Sequence, residues 1–136
     1  MPSRVSAPRR KPMSSHLAHE LKLIAACPVM ASLTLLRGRW KLPVIWNLVG
    51  GAKSLADLRR VFAMASEKML AQHLAELVRD GLVVRRVQAR DRRDVTYALT
   101  RHGRALRPAL DALRAWGDGQ GAIARATASL RQPLAK

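Results

Sequence analysis

Five arginines crowd nine positions of this 136-residue chain: Arg85, Arg86, Arg90, Arg92 and Arg93. A guanidinium group offers several donors in a planar fork that matches phosphates and the edges of bases. Like charges gathered at one turn repel one another, so a polyanionic partner explains them better than solubility alone. Just upstream runs "SEKMLAQHLAELVRDG". Leu70, Leu74, Leu77 and Val78 recur there at i, i+4, i+7 and i+8, which predicts a helix with one buried stripe. Lys68, Gln72 and Arg79 lie on its opposite face. Lys68 and Gln72 can donate to bases or phosphates. Ser66, at the helix N-terminus with its neighbouring N–H groups, suits a phosphate. Arg39, Lys41 and Ser54 complete the candidate contacts. A solvated helix face is the competing reading of Lys68 and Gln72.

The single cysteine, Cys27, stands directly before Pro28, which reads as the first residue of a helix. Cysteine is commonly a small buried hydrophobe. The positive end of a helix dipole, however, favours a reactive thiolate, so Cys27 is a candidate redox or electrophile sensor. It could react through a mixed disulfide or a disulfide to a partner subunit. One cysteine excludes an internal disulfide and suits a reducing cytoplasm. His16 and His19 near Cys27 do not make a convincing metal set. Glu76 and Asp80 are one helical turn apart and read as surface carboxylates balancing Arg79. No phosphate-binding glycine loop, metalloprotease motif or nucleophile elbow is present. No cofactor, metal or enzymatic activity is expected.

Composition points the same way. Lys and Arg number 25 against 9 acidic residues, a formal charge of +16. The surplus is not confined to a tail: from Cys27 to Asp118 there are 17 basic and 8 acidic residues. Such a balance fits nucleic acid or an anionic membrane surface. The membrane reading is the weaker. The longest uncharged run, Leu23 to Leu36, is shorter than the roughly 20 apolar residues a span needs. It begins too late for a signal peptide.

The elements that must position these groups follow from punctuation and periodicity. Residues 1–14, rich in proline and arginine, predict a disordered basic arm. Residues 15–118 predict one domain, and residues 119–136 a flexible or weakly helical tail. Helices are expected over Ser15 to Ala26, Pro28 to about Leu36, and through "KLPVIWNLV", with Trp40, Ile45, Trp46 and Leu48 as core. "SLAD" resembles a capping box with Asp57 in place of glutamate, opening a helix at Ser54. After the Ser66 helix, Gly81 ends the run. "LVVRRVQ" and "VTYAL" then predict a two-stranded hairpin with an arginine-bearing tip. Thr100 is expected to cap a last long helix, kinked at Pro108. This order predicts a mainly α fold with a two-stranded β-hairpin wing: a winged helix-turn-helix with additional N- and C-terminal dimerisation helices. In a helix-turn-helix the second helix of the motif enters the major groove. The wing would follow a minor groove or clamp phosphates.

The blocks "CPVMASLTLLRGRWKLPVIWNL", "SLADLRRVFAMASEKMLAQHLAELVRDGLVVRR", "YALTRHG" and "LDALRAWG" together resemble the HxlR-type transcriptional regulators, winged-helix proteins of the MarR-like group. The resemblance covers roughly residues 27–117. It implies a cytoplasmic homodimer built through N- and C-terminal helices, with each wing flanking a half-site of a near-palindromic operator in double-stranded DNA. It also implies that some members sense electrophiles or oxidants at the position of Cys27. Two positions depart from the pattern: Ala71 and Ala75 stand where family members often carry Thr and Arg, so Lys68, Gln72 and the wing would carry more of the contact. The alternatives are a non-specific nucleoid or RNA-binding protein, favoured by the charge, and a winged-helix protein-interaction adaptor. The scarcity of aromatic residues argues against base stacking on single strands.

Overall fold

Proline and serine open most of the helices, and the computed structural model describes the result for residues 14–88 and 90–132. The expected basic arm falls almost wholly outside the described residues. The chain divides into two compact units between Arg37 and Gly38.

The first unit is a helical pair. Ser14 caps α1 (Ser15–Ala26), its hydroxyl accepting the Leu17 N–H. α2 (Pro28–Leu35) starts on Pro28 after Cys27 leaves the helical region. The two helices meet at a bend of 119°. Neither buries a residue. No single described helix is long and apolar enough to cross a membrane.

The second unit holds the core. It runs α3 (Lys41–Leu48), β1 (Lys53–Ser54), α4 (Leu55–Val61), α5 (Glu67–Arg79), β2 (Val83–Gln88), β3 (Asp91–Leu99), α6 (Arg101–Arg104), α7 (Arg107–Gly119) and α8 (Ala122–Arg131). Ser54 caps α4 with the full reciprocal box: Ser54 Oγ accepts the Asp57 N–H at 3.0 Å, and Asp57 Oδ2 accepts the Ser54 N–H at 3.1 Å. Val44, Ile45, Leu48, Leu58, Leu70, Leu74, Leu77, Leu82, Val83 and Leu99 are buried together. The leucine stripe of α5 therefore does what its period requires, holding the helix down by apolar burial.

One strand was not foreseen and two expectations are corrected. The expected hairpin is formed by β2 and β3, and β1 adds a third strand in the order β1-β3-β2, because Lys53 and Ser54 pair antiparallel with Tyr97 and Thr96. A two-residue strand leaves no periodicity to read. The last helix is split rather than kinked. Thr100 caps the short α6, and Pro108 lies in the first turn of a separate α7, where its missing N–H costs nothing. Trp46 is not core; it is 42% exposed, with the Arg114 guanidinium 5.9 Å from its ring centre. It lines a groove of about 660 Å³ with Leu42, Pro43, Leu110 and Leu113. In the expected tail, "AIARATASLR" forms α8.

The root of the hairpin is closed by close approach. Gly81, at φ +76°, turns the chain out of α5. Thr100 Oγ1 donates to the Gly81 carbonyl at 2.6 Å, and the Thr100 N–H to Leu82 O at 3.1 Å. A Cβ on Gly103 would run into the Leu82 carbonyl oxygen, which is backbone and cannot move aside. Gly103→Ala should therefore destabilise the fold by about 3 kcal/mol, the upper range for overpacking, measured as a lowered urea midpoint with unchanged slope.

Candidate nucleic-acid interface

α5 presents the first part of the interface. Its buried side is Leu70, His73, Leu74 and Leu77. Its exposed side includes Lys68, Ala71, Gln72, Ala75 and Arg79. Ser66 is the N-cap, its hydroxyl accepting the Met69 N–H at 3.1 Å, so the first turn is ordered before any ligand arrives. Ser54 does the same for α4. Both serines are thus structural caps, which still leaves each hydroxyl hydrogen to donate. Arg79 sits at the far end of α5 and pairs with Asp80 at 3.1 Å.

Lys41 is corrected outright. It was expected to reach nucleic acid, but it is 4% exposed at the start of α3, and its ammonium lies 2.7 Å from Glu76 on α5. A long aliphatic stem lets a lysine bury when a carboxylate meets its charge. Glu76 is accordingly no mere surface carboxylate. The Lys41 hydrogen bond, then that of Gln72, hold its carboxyl below the usual carboxylate range. His73, on the leucine side of α5, is buried as well, and its Nδ1 has no partner among the described residues. Arg39, in the turn before α3, remains exposed.

The hairpin is the second part. Arg85 pairs across the ribbon with Tyr97, and Arg86 with Thr96. Successive strand residues point to opposite faces, so these two arginines straddle the ribbon instead of forming one patch. Beyond them the register shifts: Val87 faces Val95, whereas Gln88 faces Asp91. Arg92, Arg93 and Asp94 are therefore extra residues on β3, a bulge of the kind that re-aims a strand. The side chains of Arg92 and Arg93 lie outside what is described. Arg90 is exposed at the tip.

Sequence reasoning missed Arg59 and Arg60. Both are exposed on α4, opposite the buried Leu58. Arg60 pairs with Asp57 at 2.6 Å, and Arg59 reaches Glu67 at 3.4 Å, linking the two helices of the motif. Their spacing against Leu58 was the available signal. They border a shallow depression lined by Ala56, Ala63 and Ala65.

A capped helix pair, an outward polar face and a cationic hairpin, in that order, are the parts of a winged helix-turn-helix. Residues 35–124 match the model of the HxlR-like helix-turn-helix family. The chain belongs to that family. It is similar to the HTH-type transcriptional regulator YdeP of Bacillus subtilis (strain 168), 34% identical over 92 residues that span 68% of this chain and 72% of YdeP. Among solved structures, the redox regulator HypR in its reduced form superposes with TM-score 0.68 at 30% identity, covering 74% of this chain and 99% of HypR. Quinone-bound YodB of B. subtilis gives TM-score 0.59 at 35% identity, covering 68% of this chain and 99% of YodB. This HxlR-like protein is thus a DNA-binding regulator by class; its family is one of transcriptional regulators, not enzymes.

The Lys41–Glu76 pair has a testable acid signature. A carboxyl whose folded pKa is lowered adds stability above its unfolded value and loses it as pH falls through the folded value. An ordinary glutamate carboxyl titrates near 4.5, so this share begins to be lost as pH falls through that value and is gone below the lowered folded one. Lys41→Met should lower the melting temperature at neutral pH and flatten its further fall in acid, relative to wild type, in paired thermal melts.

Proposed function

We propose that this HxlR-like protein is a dimeric, sequence-specific transcriptional regulator. α5 would lie in the major groove, with Lys68 and Gln72 at base edges. Ser66, Ser54, Arg39, Arg59 and Arg60 would take phosphates, and Arg79 the far flank. The hairpin, with Arg85, Arg86, Arg90, Arg92 and Arg93, would hold a minor groove or the adjoining backbone. The observation that carries this reading is α5 itself: three leucines fully buried on one side, and Lys68 and Gln72 exposed on the other. Dimerisation is supported by apolar side chains that stay exposed within one chain. Leu17, Leu21, Leu23, Val29 and Leu33 do so on α1 and α2, and Leu113, Trp116, Ile123 and Leu130 on α7 and α8. Exposed apolar surface on this scale marks an interface.

In vitro selection from a random pool should return a near-palindromic motif. Affinity for it should fall steeply with salt, as phosphate contacts release counterions. Lys68→Ala should change base preference and weaken the selected site about tenfold, whereas Arg86→Ala should weaken all sequences alike. Equal affinity for selected and random DNA would leave a non-specific nucleoid protein. Preference for single-stranded RNA would favour the RNA-binding alternative, and a monomer without DNA affinity at low salt the adaptor.

A second element of the proposal is redox or electrophile control through Cys27. The thiol is half-buried and free at the start of α2, without a side-chain capping bond. Two of the similar structures are of a redox regulator and a quinone-bound regulator. Quinone or diamide treatment should shift the operator affinity of the wild type and leave Cys27→Ser unmoved. An unchanged wild type removes Cys27 as a sensor.

A further inference from the structure

Gln72, the residue placed at a base edge, does not stand alone on α5. Its Nε2 donates to Glu76 Oε1 one turn later, at 3.3 Å. The other oxygen of Glu76 receives the Lys41 ammonium at 2.7 Å. Lys41 is fixed in turn, because its side chain is only 5% exposed at the head of α3. The three groups form a chain that starts inside the protein and ends at the outer face of the helix.

The polarity of that chain is set by chemistry. An ammonium can only donate, and an ionised carboxylate can only accept. The two hydrogen bonds keep Glu76 ionised through the neutral range. The only part of the Gln72 amide that a carboxylate can receive is the NH₂ group. The amide oxygen must then face away from Glu76, toward whatever approaches the helix. A glutamine amide free in solvent turns over and offers either end; this one is held in one sense.

Base edges distinguish the two senses. Adenine shows an N6 donor beside its N7 acceptor in the major groove, whereas guanine shows two acceptors, O6 and N7. An amide whose oxygen faces outward accepts from adenine N6. Its second N–H, not used by Glu76, remains for N7. Against guanine the same oxygen meets O6, acceptor against acceptor. We infer that Lys41 and Glu76 are positioning residues that lock the amide of Gln72 for adenine and against guanine at one base pair of each half-site. This rests on α5 lying in the major groove, as proposed above. Lys41, which cannot reach DNA, thereby acts on base choice from the interior.

The test is selection of bound DNA with wild type, Gln72→Ala and Glu76→Gln, followed by titration of adenine- and guanine-bearing versions of the wild-type operator. The readout is the ratio of the two affinities within one protein sample, so lost stability cancels. Wild type should prefer adenine by about tenfold at the column that Gln72→Ala erases, the range of one good base contact. In Glu76→Gln the new amide can keep its oxygen on Lys41 and turn its NH₂ toward Gln72. That lets Gln72 reverse, so the adenine preference should shrink to about twofold or invert. An unchanged ratio in Glu76→Gln overturns the inference. So does a wild-type preference for guanine at that column, which needs only the native protein and Gln72→Ala and stands even if Glu76→Gln fails to fold. A selected motif with no column sensitive to Gln72→Ala also overturns it while leaving the regulator reading intact. No selected motif at all removes both.

Discussion

Burial of Leu70, Leu74 and Leu77 fixes everything that α5 can show to the outside. Each is fully buried, and each full burial of a leucine is worth roughly 1.5–3 kcal/mol. Rotating the helix by one residue would expose that stripe and turn Lys68 and Gln72 inward. The rotational setting of the helix is therefore decided by apolar area, and the polar groups inherit their direction from it. The buried Lys41–Glu76 contact then refines the setting from α3, and Arg59 on Glu67 does so weakly from α4.

Charge acts on a different scale. A formal charge of +16 on 136 residues opposes compaction. Part of that charge is spread along exposed edges rather than gathered at one point: Arg59 and Arg60 on α4, Lys68 and Arg79 on α5, and Arg85, Arg86 and Arg90 on the hairpin. That is also the distribution that a duplex, with phosphates on both sides of each groove, can neutralise. Ala71 and Ala75 leave part of α5 without polar reach, and the arginines of α4 and the hairpin lie to either side of that gap in the chain.

Much of this was legible because it rests on local rules. The capping box at Ser54, the leucine period of α5 and the turn at Gly81 each have a signal within a few residues, and the structure realises them. What could not be read depends on contacts across the chain. Lys41 looks like any exposed lysine until Glu76, 35 positions later, is seen to meet it. Trp46 looks like core by type, yet its side of α3 is left open within one chain. β1 is two residues long and exists only because β3 offers it an edge. The wing arginines were legible as a cluster, but the register shift after Val87, which leaves Arg92 and Arg93 as extra residues on β3, is not encoded in charge.

The clamp at the root of the hairpin has a wider consequence. Thr100 and Gly103 join the strand leaving the wing to Gly81 and Leu82 at its entrance. With β1 paired to Thr96 and Tyr97 of β3, this junction anchors the near half of the ribbon. Loop length enters stability slowly once its ends are held, so residues between Gln88 and Val95 can be added, lost or exchanged with little effect on folding. The wing is in that sense a replaceable part: its reach and charge can diverge among relatives at a pace the leucine core of α5 does not permit.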